Sequence, residues 1–313
     1  MRPFSLMLFG PTASGKTDFS LEIARALPVE IVNADVCQAY VPLTVGTAKP
    51  DWQNQPVPHH FFDVFDSPID FSAFRYREMC SSLTASLFER ARLPLFVGGS
   101  GFYLKSLFFP PKHAPVSAKK EEDGLDFLPE SPWHRLARID PERAREIHPH
   151  DLYKINRALD IWRLTGVLPS HLKPSFEPFA KNNAVIFVDR DRCDIEGRVT
   201  RRIVEMINSG WIEEVRNLSK EWRLFLEKKQ FIGYGEIFSI LDGSLKTQEA
   251  EEIIRFKTLQ YIKRQRTFWR SFKKSLVDHN VLVEEINLSH VTAGQKTDLL
   301  SLLSEKADYQ KII

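Results

Sequence analysis

Residues 10–17 read Gly10-Pro11-Thr12-Ala13-Ser14-Gly15-Lys16-Thr17, a G-x-x-x-x-G-K-[ST] pattern. The apolar run Phe4–Phe9 precedes it with the length of a buried strand. Residues 18–27 follow with Phe19, Ile23 and Leu27 at helical spacing. In that setting the loop amides point at an anion on the helix N-terminus. Lys16 reaches an outer phosphate, and the Thr17 hydroxyl can hold Mg2+. A chance glycine-rich turn lacks such flanks, so the chain binds a phosphorylated ligand.

Working outward, residues 30–33, a helical stretch at 70–92 and an apolar run at 95–97 complete a βαβαβ order. That order implies a parallel α/β sheet with its ligand at the carboxyl ends of the strands. Residues 110–132 turn to Pro, Lys, Glu and Asp and read as a linker. Helical periodicity returns at 133–148 and 151–165, where Ile155, Leu159 and Trp162 recur. A loop at 173–183 and a strand at 184–189 follow, and the chain after 191 is mostly helical to 274. The expected architecture is a P-loop α/β core, residues 1–108 and 184–313, interrupted by a helical insertion at 109–183.

At 313 residues, 43% hydrophobic and 27% charged, the composition is that of an ordinary globular chain. The formal charge of +2 is nearly neutral, so a polyanionic partner must meet local basic patches. Cys37, Cys80 and Cys193 lie far apart, which suits a reducing cytoplasm and suggests no cysteine zinc site. No apolar stretch is long enough to span a bilayer. His59 and His60 are adjacent on an extended segment and point apart, which argues against a metal pair.

Asp35 closes the second strand and reaches the P-loop edge, as a general base or a metal-orienting carboxylate; a helix cap is the plainer role. The third strand runs into Gly98-Gly99-Ser100-Gly101, where a phosphate-hydrolysing P-loop enzyme carries an acid. Ser100 offers a hydroxyl instead, which weakens an ATPase or kinase reading. Arg198, Arg201 and Arg202 open a helix and could grip a diphosphate opposite Lys16, or form a surface cluster. Between 251 and 274, Lys263, Arg266, Arg270 and Lys273 share a helical face with Tyr261, Phe268, Trp269 and Phe272 interleaved. That face suits a nucleic-acid backbone, or else a solvated helix whose aromatics turn inward.

Taken together, these segments resemble the tRNA dimethylallyltransferases, the tRNA isopentenyltransferase family. The matching stretches are GPTASGKT (10–17), Asp35, Gln38 and Tyr40, GTAKP (46–50), PHH (58–60), FR (74–75) and VGGSGFY (97–103). NRALD (156–160), the arginines at 198, 201 and 202, IGYGE (232–236) and KRQRTFWR (263–270) complete the set. The resemblance implies transfer of a dimethylallyl group from dimethylallyl diphosphate to the exocyclic amine of the adenosine 3′ of the tRNA anticodon. It gives the P-loop, Arg198 and Arg202 the diphosphate, with Mg2+ on Thr17, and assigns Asp35 and Ser100 to catalysis.

By the same resemblance tRNA contacts come from Asp35, Val36, Cys37, Gln38 and Ser100, and from Asn156, Arg157, Ala158, Leu159 and Asp160. Others come from Phe231, Ile232, Gly233, Tyr234, Gly235 and Glu236, and from Lys263, Arg264, Gln265, Arg266, Thr267, Phe268, Trp269 and Arg270. The expected partner is the anticodon stem-loop, and the expected working form is a cytoplasmic monomer with no membrane contact. Val36 stands where the family usually has Ser, and Ser100 where it more often has Thr. The family's insertion arginine has Lys119 or Lys120 as its candidate replacement. The zinc finger of eukaryotic relatives is missing from the pattern, which points to a bacterial-type enzyme. A P-loop small-molecule or nucleoside kinase is the rival reading.

Overall fold

The computed structural model describes residues 4–111, 131–172 and 174–308. The elements begin with β1 (Phe4–Phe9), α1 (Lys16–Ala26), β2 (Val29–Asn33), β3 (His59–His60), α2 (Ala73–Glu89), β4 (Leu93–Gly98) and α3 (Gly101–Ser106). Then come α4 (Pro132–Ile139), α5 (Pro141–Arg145), α6 (Leu152–Thr165) and β5 (Asn182–Asp189). The rest is α7 (Arg192–Asn208), α8 (Trp211–Arg216), α9 (Lys220–Lys229), α10 (Tyr234–Leu241), α11 (Thr247–Val277), β6 (Leu282–Asn287) and α12 (Ala293–Asp308).

The strands form one parallel sheet in the order β3-β2-β4-β1-β5-β6. β1 sits inside it, in register with β4 from Leu6↔Leu95 to Phe9↔Gly98 and with β5 from Phe4↔Asn182 to Phe9↔Phe187. Its six residues are all buried, because helices cover both faces of the sheet and alternation gives way to a continuous apolar run. Leu6 and Leu8 pack against Phe19 and Ile23 of α1 and Leu303 of α12. Met7 and Phe9 face the other way, toward Ile203 of α7 and Trp269 and Phe272 of α11.

The expected helix at 133–148 is broken in two. Asp140 caps α5 by accepting the Arg143 N–H at 3.0 Å, and Pro141 occupies the first turn, where a missing N–H costs nothing. Helices α4 to α6 bury a small cluster of their own, centred on Leu136, Ile155 and Leu159. Most of the 110–132 linker, with Lys119 and Lys120, lies outside the described residues. β3, β6 and α12 add to the expected core. His60 of β3 meets Glu30 at 2.7 Å, and His59 bonds the Val57 carbonyl at 2.8 Å.

Candidate active site

The P-loop connects the end of β1 to α1, beside the carboxyl ends of β2, β4 and β5. Lys16 Nζ donates to the Gly10 and Pro11 carbonyls at 2.9 and 2.6 Å. Burial lowers its pKa to about 7; Asp35 opposes that shift and Arg202 adds to it. Arg198 Nε donates to the Ala13 carbonyl at 2.8 Å, and Arg190 Nε to the Ser14 carbonyl at 2.9 Å. Arg190 escaped the sequence reading; its only signal is that it directly follows the last residue of a strand reaching the ligand edge. The Ser14 hydroxyl is buried with no partner. Lys16 and Arg198 line a polar cavity of about 160 Å3 together with Thr17, Asn33 and Arg202, while Arg190 braces the loop from outside that lining.

Asp35 is fixed from its own backbone. Its N–H donates to Asn33 Oδ1 at 2.8 Å, and Asn33 Nδ2 donates back to the Asp35 carbonyl at 3.0 Å. The carboxylate accepts the Cys37 N–H at 3.2 Å, the first contact of the single turn Val36–Ala39. Burial raises the Asp35 pKa above the ordinary carboxylate value, while the Cys37 amide, Lys16 and Arg202 pull it down. Across from it, Ser100 Oγ accepts the Val36 N–H at 3.4 Å. The capping role is thus observed, and the capping carboxylate lines both this polar cavity and a more apolar one.

A second, more apolar cavity of about 340 Å3 opens beside the first, walled by Val36, Val199, Ile203, Met206, Ile254 and Tyr261. Phe231, Ile232 and Arg264 also line it. The two cavities share Thr12, Ala13, Asp35 and Arg202. A charged end and an apolar end therefore meet at one carboxylate. The floor includes Gly46 and Thr47, whose segment is moored by a residue the sequence reading did not single out. Glu214 of α8 accepts the amides of Thr44, Val45 and Gly46 at 2.8, 2.5 and 3.1 Å, and the Tyr234 hydroxyl at 3.1 Å. The Thr47 carbonyl accepts from Gln38 Nε2 at 3.1 Å and from Arg202 Nη2 at 3.4 Å.

The structure corrects several of the proposed tRNA contacts. Gln265 and Trp269 are buried, at 4% and 3% exposure, on the inner face of α11. Trp269 stacks on Phe187 with ring centroids 4.6 Å apart. Arg266 and Lys273 are tied to Asp189 and Glu285, so the outward basic face is narrower than the spacing suggested. Glu236 is buried and pairs with Lys257, while Tyr234, also buried, lines the apolar cavity and is not displaced from the site. Ala158 and Leu159 belong to the α4–α6 cluster, where apolar side chains pack together.

Lys263, Arg264, Thr267 and Arg270 are exposed. Asn156, Arg157 and Asp160 line a surface hollow of about 200 Å3 with Tyr153. Phe231 and Ile232 face the apolar cavity, whereas Gly233, the cap of α10, and Gly235, in its first turn, do not line it. Phe268 is half-buried and packs against Phe9 and Phe272.

Known proteins resemble this chain in sequence and in fold. A family profile described as IPP transferase matches residues 38–272, and one described as isopentenyl transferase matches 5–55. The chain is 33% identical over 270 residues to a tRNA dimethylallyltransferase of Anoxybacillus flavithermus, covering 85% of this chain and 87% of that one. It is 32% identical over 278 residues to the tRNA dimethylallyltransferase of Bacillus subtilis, again covering 85% and 87%. The crystal structure of the tRNA isopentenylpyrophosphate transferase of Bacillus halodurans superposes with a TM-score of 0.67 at 25% identity, over 99% of this chain and 98% of that one. A eukaryotic dimethylallyltransferase acting on tRNA shares the fold, with a TM-score of 0.80 at 20% identity over 98% and 80% of the two chains. With the P-loop, Asp35 and the paired cavities in place, the chain belongs to the IPP transferase family.

Proposed function

We propose that this protein transfers the dimethylallyl group of dimethylallyl diphosphate to the exocyclic N6 amine of the adenosine 3′ of the anticodon in tRNA, releasing diphosphate. The observation that carries the reading is the meeting of a cationic and an apolar cavity at Asp35. Lys16, Arg198 and Arg202 bind the diphosphate, the P-loop amides complete its cradle, and the prenyl carbons lie against Val199 and Ile203. The adenine enters the apolar cavity past Phe231 and Ile232, where aromatic contact offsets part of the cost of unstacking it.

In the transfer the allylic C–O bond breaks and the C–N bond forms. The electron pair of the broken bond leaves with the diphosphate, whose charge Lys16 and the arginines neutralise. The adenine amine is a weak nucleophile because its lone pair is delocalised into the ring. Asp35 takes the amine proton as positive charge develops on nitrogen. Its raised pKa, set by burial, suits a base that must hold that proton.

Thr17 and Asp18 line the polar cavity at the first turn of α1 and present oxygen donors, a set that fits Mg2+. When bound, the ion neutralises charge on the diphosphate. The exposed Lys263, Arg264 and Arg270 with the hollow at Asn156, Arg157 and Asp160 would hold the anticodon stem-loop, the latter from the helical insertion. The enzyme would work as a cytoplasmic monomer; among the described residues no helix is long and apolar enough to cross a membrane.

Incubation with unmodified tRNA and dimethylallyl diphosphate, followed by nucleoside mass analysis, tests the reading. Prenylated adenosine next to the anticodon is the expected product. ATP-dependent phosphorylation of a small acceptor without prenyl transfer would favour the kinase reading, which the family relationship does not support.

A further inference from the structure

The ladder between β1 and β4 ends at the pair Phe9↔Gly98. Beyond it the two chains part into the P-loop and the turn that carries Ser100. Two side chains of the far helix α11 reach this gap: the Tyr261 hydroxyl donates to the Gly99 carbonyl at 3.4 Å, and Gln265 bonds both sides. Gln265 Oε1 accepts the Thr12 N–H at 3.1 Å, and Nε2 donates to the Gly99 carbonyl at 2.8 Å. Its planar amide thus stands in for one more peptide unit between the parted strands. A Cβ on Gly99 would lie 2.5 Å from Nε2, so only glycine lets the amide reach that backbone. Thr12 lines both cavities, and Gly99 precedes Ser100, whose hydroxyl holds the Val36 amide next to Asp35.

We infer that Gln265 is a positioning residue that sets the separation between the diphosphate-holding P-loop and the Ser100–Asp35 side, where the nucleophile is activated. The inference rests on the transferase reading. A rigid group bonded at both ends fixes two loops that the sheet no longer joins. In a group transfer the reacting atoms must be held near their attack geometry, and a misplacement of about 1 Å costs about 10²-fold in rate.

Two variants test it, with readouts that a role in folding alone would not move. Gln265→Met keeps the length and loses both bonds. Gln265→Glu keeps an acceptor for Thr12, but its ionised carboxylate cannot donate to Gly99; its protonated form can. Three quantities are measured on the full chain: melting temperature, calorimetric affinity for inorganic diphosphate with Mg2+, and kcat and KM for dimethylallyl diphosphate.

The expectation for Gln265→Met is a kcat about 10²-fold lower per folded enzyme, with diphosphate affinity changed by no more than about threefold. For Gln265→Glu the deficit relative to wild type shrinks as pH falls, because the protonated carboxyl regains the Gly99 bond. Wild-type kcat in folded Gln265→Met, or a Gln265→Glu deficit that stays flat with pH, overturns the inference. If Gln265→Met does not fold, the Gln265→Glu pH series decides alone. Failure of the wild type itself to bind diphosphate would instead remove the function on which the inference stands.

Discussion

Arg266 grips Asp189 at two points, with Nε to Oδ2 at 2.9 Å and Nη2 to Oδ1 at 2.7 Å, while the same Nη2 donates to the Arg190 carbonyl at 2.8 Å. A guanidinium fork matched to a carboxylate is a strong, directional contact. Here it fastens α11 to the end of β5, beside the P-loop.

This divides the basic helix into two functions that one experiment separates. Arg266→Ala should destabilise the fold by about 1–3 kcal/mol, since charged hydrogen bonds are lost in a half-buried setting. Its tRNA salt dependence should stay that of the wild type. Joint neutralisation of exposed Lys263 and Arg270 should leave stability alone and flatten the log–log salt slope of tRNA binding by roughly 0.7–0.9 per lost phosphate contact. Parallel slopes for that double variant would mean that tRNA docks on another surface.

Asp35→Asn keeps the shape of the side chain and removes the base. The rate should fall roughly 10²–10⁴-fold, with inorganic diphosphate and tRNA still bound. In the wild type the carboxyl must be ionised to accept the proton. Because burial raises its pKa, turnover should drop on acidification at a higher pH than an exposed aspartate would give. Steady-state rates across a pH series check both points, and near-normal turnover in the variant would dismiss Asp35 as the base.

Lys16 titrates near pH 7 because burial disfavours its charge. An incoming diphosphate favours the charged form, so at pH 8 binding should draw a proton from solution. As pH rises above about 7, affinity should then weaken, since the bound state holds the extra proton. Calorimetry in buffers of different ionisation enthalpy measures the uptake. Lys16→Arg, charged at every accessible pH, should abolish it while sharing any titration of the ligand itself.

At Gly46 a Cβ would stand 2.1 Å from Trp211 Nε1 and 2.6 Å from the Tyr234 hydroxyl. Gly46→Ala must push the 44–47 segment off α8, at a cost of about 1–3 kcal/mol typical of overpacking. Since Thr47 holds Gln38 and Arg202, diphosphate affinity should fall as well. Thermal melting and calorimetry together test this; a fully stable variant with normal affinity would show that the segment moves freely.

The parts of this fold that were legible carry strong local signals. The run Phe4–Phe9 is a strand because both of its faces are buried, and the P-loop fixes where α1 starts. β6 was not legible: its sequence, LVEEIN, puts two glutamates on an edge strand that is only half covered, so no apolar pattern marks it. Within the site, Asp35 and Lys16 were found by motif and strand position. Glu214, Arg190 and the inward turn of Gln265 were not, because their partners lie far away in the chain. Helical spacing grouped Arg266 with Arg270, yet only the tertiary position of Asp189 separates them. Polar side chains committed to distant backbone look, in sequence, like any other surface group.

The mooring of residues 44–46 by Glu214 has a consequence for the order in which the protein is made. The phosphate loop is synthesised first and can fold early with β1 and α1. Its working surroundings arrive late, with Arg198 and Arg202, then Glu214, then Gln265 from α11. A nascent chain that has cleared the ribosome only through β4 therefore owns a phosphate-binding motif and no enzyme. The complete site requires that the chain from Arg198 to Gln265 close over the first fifty residues.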